Sequence, residues 1–151
     1  MPVGGVVASA QLFAPLNADP LQHSSTFAGS PLAAAAVTAT IGVLKSEGLI
    51  ERTRELGPQV RDLALDAVTA HCPHLVTEVR GEGLLIGLKA LVPTGELVDA
   101  LRAERMLTVA AGDNVVRLLP PLIISEQELA EGIARLDRAC ARLSRKQDAA
   151  Q

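Results

Sequence analysis

The second half of this chain predicts a small α/β domain: a mainly antiparallel sheet with helices on one face. Three observations carry that expectation. From Leu75 onward the apolar spacing changes from helical to strand-like, in Val76-Thr-Glu-Val79-Arg and Leu84-Leu-Ile-Gly-Leu88. Turn residues separate the extended runs: Gly81 and Gly83 around Glu82, then Ala111-Gly112-Asp113-Asn114. The chain then closes with a long amphipathic helix introduced by Ser125-Glu-Gln-Glu128, a capping box.

In chain order, Pro2–Ala10 reads as a short buried strand, rich in Val3, Val6 and Val7. Residues 11–21 read as a loop, through Pro15, Asn17, Asp19 and Pro20. A polar stretch follows, Gln22-His23-Ser24-Ser25-Thr26-Phe27-Ala28-Gly29-Ser30. Ser30 suits an N-cap and Pro31 the first helical position. The helix from Leu32 to Glu47 would be about 24 Å long. Its charge is confined to Lys45 and Glu47, so it is expected to be buried on all sides. Gly48 ends it. A second helix runs from about Leu49 to Ala70, with Leu56, Val60, Leu63 and Ala67 inward and a kink or break at Gly57-Pro58. His71-Cys72-Pro73-His74 is a connector. A short helix capped by Thr94 turns Leu97, Val98 and Leu101 inward. Strands at Met106–Ala110 and Val115–Leu119 flank the Gly112-Asp113-Asn114 turn. The last helix presents Leu129, Ile133, Leu136, Cys140 and Leu143 as one stripe.

Composition narrows the function. The chain has 151 residues, 48% of them apolar, a net charge of −3, and Phe13 and Phe27 as its only aromatics. Without a basic face or stacking aromatics, nucleic-acid binding is not expected. No run is apolar for long enough to predict a membrane span. The start lacks the charged region of a signal peptide, so a cytoplasmic location is expected. Cys72 and Cys140 have no metal-type spacing and are expected to be reduced there. His71 and His74 bracket Cys72-Pro73 and do not make a zinc set.

Three residues are candidates for binding chemistry. Ser25 and Thr26 lie just before a helix start, where donors collect and anions are favoured; they either bind a phosphate or carboxylate or cap the helix. Arg117 lies between Val115-Val116 and Leu118-Leu119, on one face with Val115 and Leu119. Its guanidinium either clamps a ligand carboxylate or serves a structural ion pair or a water-facing edge strand, and spacing alone favours the structural role. Spacing likewise reads Arg80 and Glu82 as an exposed turn pair or a brace for the strands. Asp113-Asn114 reads as turn chemistry.

Four stretches, taken together and in order, give a resemblance. Met1-Pro-Val-Gly-Gly-Val-Val-Ala-Ser, His23-Ser-Ser-Thr-Phe-Ala-Gly-Ser-Pro31, Glu78-Val-Arg-Gly-Glu-Gly-Leu-Leu-Ile-Gly-Leu88 and Leu107 to Ile124 resemble the C-terminal part of class III pyridoxal-phosphate-dependent aminotransferases, most closely the acetylornithine aminotransferase branch. The resemblance runs from Met1 to about Leu143. It implies the C-terminal portion of a fold-type I transferase: residues 1–47 as the end of the large cofactor-binding domain with an interface helix, 48–74 as a helical connector, and 75–151 as the small C-terminal α/β domain. It implies that Thr26 binds the phosphate of pyridoxal 5'-phosphate across a homodimer interface, that Ser25 sits beside the substrate, and that Arg117 grips the substrate α-carboxylate. It implies amino transfer between an N-acetylornithine-like ω-amine and 2-oxoglutarate, in arginine biosynthesis. Ser24, Ala28 and Ser30 depart from the family's Gly, Gly and Asn. The family's Schiff-base lysine belongs a few residues before Met1, and neither Lys45 nor Lys89 replaces it, so these residues alone are expected to be inactive. A non-catalytic dimerisation module derived from an aminotransferase is the alternative, and an unrelated anion-binding α/β domain built on Arg117 a third reading.

Overall fold

The computed structural model describes residues 3–19, 21 and 24–149. The chain forms two compact units, 1–48 and 49–151.

The first unit holds two helices. α1 spans Ala10–Ala18 and α2 spans Pro31–Ser46. The loop expected over residues 11–21 is thus largely helix. The reason is local: Ser9 accepts a hydrogen bond from the Leu12 amide (3.4 Å) and starts the turn, and Pro15 removes only one internal donor. The expected strand over 2–10 does not form among the described residues. Residues 3–9 have no ladder partner, and an unpaired strand cannot satisfy its backbone groups; Val7 is fully exposed. Gln22 and His23 lie outside the described residues. Ser30 takes the N-cap position of α2, but its hydroxyl makes no capping bond. Instead its carbonyl accepts from Ala34 (2.9 Å) and Pro31 fills the first turn. No residue of α2 is buried. The all-round burial that its composition requires is not supplied by the residues described here, and Leu32, Ile41 and Val43 remain exposed.

The second unit carries the expected α/β architecture. α3 (Leu49–His71) precedes β1 (Val76–Glu82) and β2 (Leu85–Ala90). α4 (Thr94–Ala103) leads to β3 (Val109–Ala111) and β4 (Val115–Leu118), and α5 (Glu126–Asp148) closes the chain. The sheet order is β1-β2-β4-β3, and every neighbouring pair is antiparallel. β4 is therefore an interior strand. Ile86, Leu88, Ala90, Val116 and Leu118 point to the helical side and are buried with Val60, Ala64 and Val68 of α3, Leu97 and Leu101 of α4, and Leu129, Leu136, Ala139 and Leu143 of α5. The residues expected to connect two domains, 48–74, thus belong from Leu49 onward to this second unit.

Five local expectations are corrected here. Helix α3 runs unbroken through Gly57-Pro58. A Cβ on Gly57 would lie 2.6 Å from the Gly83 backbone, so the helix seats directly on the β1–β2 turn at this point. Its inward stripe continues Val60, Ala64, Ala67 and Val68, whereas Leu63 faces outward at 44% exposure. Thr94 does not cap α4: Pro93 holds the N-cap, and the Thr94 amide donates to Asn114 Oδ1 (3.2 Å). Asn114 is more than a turn residue, since its amide group also donates to the carbonyls of Ala90 and Val92 (2.6 and 2.8 Å). It joins the end of β2, the start of α4 and the β3–β4 turn. Finally, Cys72 and Cys140 are a disulfide pair, both fully buried, with Cα atoms 5.5 Å apart. They are 68 residues apart in sequence, and only the packing of α3 on α5 brings them together.

The capping box forms as expected. Glu128 accepts from the Ser125 amide (2.9 Å) and hydroxyl (2.7 Å), and its own amide donates to Ser125 Oγ (3.2 Å). These two donors hold the Glu128 carboxyl below the usual range. Ser125→Ala is expected to destabilise the second unit by about 1 kcal/mol. The loss should appear in thermal unfolding, and NMR titration should show Glu128 returning toward an ordinary carboxylate.

Candidate functional site

The first unit contributes a tight turn. Residues 26–29 reverse the chain through Ala28 N–H to Ser25 C=O (3.0 Å) and Ser30 N–H to Phe27 C=O (3.2 Å). These bonds use backbone groups only. The Ser25 and Thr26 hydroxyls have no partner among the described residues, and both residues are exposed. Between Asp19 and Glu47 the sequence contains no acidic residue. Free hydroxyls beside the start of α2, with no carboxylate in the intervening sequence, form a donor set that suits a phosphate. Among the described residues neither hydroxyl caps α2.

The second unit contributes the sheet face opposite the helices. Cross-strand register puts Val109, Arg117, Gly87 and Arg80 in one row across β3, β4, β2 and β1. The adjacent row is Ala111, Val115, Lys89 and Glu78. Arg117 is exposed, lies on an interior strand, and makes no hydrogen bond or ion pair among the described residues. Among the described residues Arg117 is thus neither ion-paired nor on an edge strand, and its side chain faces solvent.

Its cationic neighbours behave differently. Arg80 pairs with Asp113 (3.3 Å) and with Glu78 (3.6 Å), and Lys89 pairs with Asp113 through both its carboxylate and its carbonyl. Arg80 thus braces the strands. The Lys89 ammonium, and then the Arg80 guanidinium, hold the Asp113 carboxyl below its ordinary range. Because folding favours the charged form, this contribution is complete above the unfolded-state pKa of Asp113. It is lost as acid titrates the folded group at lower pH. Sequence reading treated Asp113 as turn chemistry only, and the signal it lacked was the pairing of β1 with β2 that brings Arg80 within reach.

The strand after Arg117 is also tied down. Arg52, near the start of α3, donates to the Leu122 carbonyl (2.6 Å) and to the Ile124 carbonyl. The Pro120-Pro121 segment is held between β4 and these contacts, which fixes the exit of the arginine strand. Ser25 and Thr26 occupy one compact unit and Arg117 the other.

The class-III aminotransferase family model matches residues 1–140. Acetylornithine aminotransferase 1 of Bradyrhizobium diazoefficiens is 46% identical over 97% of this chain, and acetylornithine aminotransferase of Agrobacterium fabrum is 42% identical over 97%. Those alignments cover 35% and 36% of the relatives' own lengths, so the chain spans about a third of them. Among solved structures, the ornithine aminotransferase of Toxoplasma gondii superposes with a TM-score of 0.76 at 29% identity, over 92% of this chain and 33% of that one. The acetylornithine aminotransferase of Elizabethkingia anophelis gives 0.71 at 32% identity, over 80% and 32%. The chain belongs to the class-III aminotransferase family.

Proposed function

We propose that this chain is the C-terminal part of an acetylornithine-type aminotransferase, which transfers an amino group between an N-acetylornithine-like ω-amine and 2-oxoglutarate with pyridoxal 5'-phosphate as cofactor. The observation that carries the reading is Arg117: a guanidinium unpaired among the described residues, on an interior strand, in a chain 46% identical to an acetylornithine aminotransferase.

Each residue then has a task. Arg117 binds the substrate α-carboxylate through two parallel N–H···O bonds, which fixes both position and rotation about the carboxylate. Thr26 donates its hydroxyl to the cofactor phosphate in the partner subunit's site, and Ser25 lies beside the substrate. The cofactor, when bound, supplies the electron sink for carbanion chemistry. The exposed apolar surface of α2 is covered by the remainder of the large domain and the dimer contact, which supplies the burial that its composition requires. In this arrangement residues 1–47 belong to the large domain, and 48–74 lead into the small domain of 75–151 and pack with it. None of the three lysines here takes the place of the one that would bond to the cofactor: Lys89 is engaged by Asp113, Lys45 lies in the last turn of α2, and Lys146 in the last turn of α5.

The test is an assay of the protein purified from its native source, supplied with pyridoxal 5'-phosphate, N-acetylornithine and 2-oxoglutarate. Glutamate formation together with the acetylated semialdehyde supports the reading. A cofactor-loaded protein that forms glutamate from neither N-acetylornithine, succinylornithine nor ornithine overturns it. The 151 residues produced alone are expected to form no glutamate.

A further inference from the structure

The open face of the sheet carries three cations, Arg80, Lys89 and Arg117, and only Arg117 is unpaired among the described residues. The other two converge on one carboxylate, Asp113, in the β3–β4 turn. To reach it, Arg80 must extend from β1 across the whole width of β2. Gly87 lies on that path. It sits directly opposite Arg80 on one side and Arg117 on the other. A Cβ at this position would stand 3.8 Å from Arg80 Cγ and 3.0 Å from Val115 Cγ1. The stem of Arg80 therefore lies against Gly87, and its head reaches Asp113 in the turn.

The arrangement has an electrostatic consequence. Three uncompensated cations on one open face would attract carboxylates in several places and orientations. Two of these are instead ion-paired to a carboxylate held on a turn whose backbone is itself fixed, because Asn114 bonds the end of β2 and the start of α4, and Arg80 also pairs with Glu78 (3.6 Å). Resting on the reading of Arg117 as the carboxylate clamp, we propose that Asp113 is a selectivity-setting positioning residue. It holds Arg80 and Lys89 in ion pairs, so that the face presents one free guanidinium and takes one carboxylate in one orientation.

The test measures binding of glutarate, a dicarboxylate without a reactive carbonyl, by calorimetry at constant low ionic strength, where exposed charge contacts are least screened. Wild type, Arg117→Gln, Asp113→Asn/Arg117→Gln and a fourth variant that adds Arg80→Gln and Lys89→Gln are compared, each checked for unchanged thermal unfolding. Arg117→Gln should lose affinity. Adding Asp113→Asn should restore roughly threefold to fivefold of it, the scale of exposed charge contacts, and removing Arg80 and Lys89 should abolish that gain. A purely structural role for Asp113 would give no regained affinity. A double variant that binds no tighter than Arg117→Gln overturns the proposal. Equal binding by wild type and Arg117→Gln overturns the clamp reading of Arg117 instead, and the gain on releasing Arg80 and Lys89 is read independently of it.

Discussion

Arg117→Ala is expected to lower kcat/KM for amino transfer by roughly 100-fold, with the fold and cofactor content unchanged. The size follows from what is lost. Two charge-assisted hydrogen bonds to a substrate carboxylate in a partly desolvated site are together worth about 3 kcal/mol, and each ~1.4 kcal/mol is a factor of ten. Most of the effect should fall on KM, since a grip on the α-carboxylate acts on ground and transition states alike; the share falling on kcat reports misorientation. Arg117→Lys is the informative companion. It keeps the charge but lacks the planar fork, so it should recover only part of the loss. Stability should be nearly untouched, because Arg117 is exposed and makes no contact with a partner among the described residues. Steady-state kinetics of the protein from its source, with the cofactor absorbance followed in parallel, decide the matter. A tenfold or smaller loss would move the carboxylate grip to another residue.

The strands and the closing helix were legible because their signals are local. The β1–β2 hairpin announced itself through Gly81 and Gly83, and the capping box and stripe of α5 through fixed spacings that need no knowledge of the rest of the chain. Arg117 was legible as an odd residue in an apolar strand, but its role was not. Whether a mid-strand arginine is paired depends on residues far away in sequence, and here the candidate carboxylate, Asp113, is already occupied by Arg80 and Lys89. The same long-range dependence hid the pairing of Cys72 with Cys140 and the three bonds made by the Asn114 side chain. Two misreadings have a different origin. Leu63 was placed inward because leucine is apolar, yet the smaller Ala64 occupies that face, where α3 packs close to β1 and α5. Residues 11–21 were read as loop from Pro15 and Asn17, yet α1 forms with Pro15 in its interior and Ser9 as its cap. The composition of α2 was read as burial on all sides, yet none of its residues is buried among the described residues.

Gly81→Ala is expected to be the most damaging single-methyl change in the second unit, costing about 3 kcal/mol or more. Gly81 has φ +145°, a backbone region that residues with a Cβ rarely adopt and that costs on the order of 1–3 kcal/mol when forced. Space is the larger obstacle. A Cβ here would lie 2.0 Å from the Leu85 carbonyl oxygen and 3.0 Å from Ile86 Cα. Both obstacles are backbone of the paired strand, so no rotamer change relieves the overlap. The β1–β2 ladder must open, and with it go the Gly81–Ile86 and Glu82–Leu85 pairings that hold the turn against α3. The neighbouring consequence is functional: Arg80, one residue away, would lose its line across Gly87 to Asp113. Gly132→Ala is the matched control. It adds the same methyl in the interior of α5 with nothing within 4 Å. It should stabilise by about 0.5–1 kcal/mol through the lower entropy of the unfolded chain. Denaturant unfolding of both variants separates the two arguments. Opposite signs mean that backbone crowding at the hairpin decides the outcome. A Gly81→Ala variant as stable as wild type would mean that β1 can shift away from β2 at no cost, and the row joining Arg80, Gly87 and Arg117 would not be a rigid frame for the carboxylate.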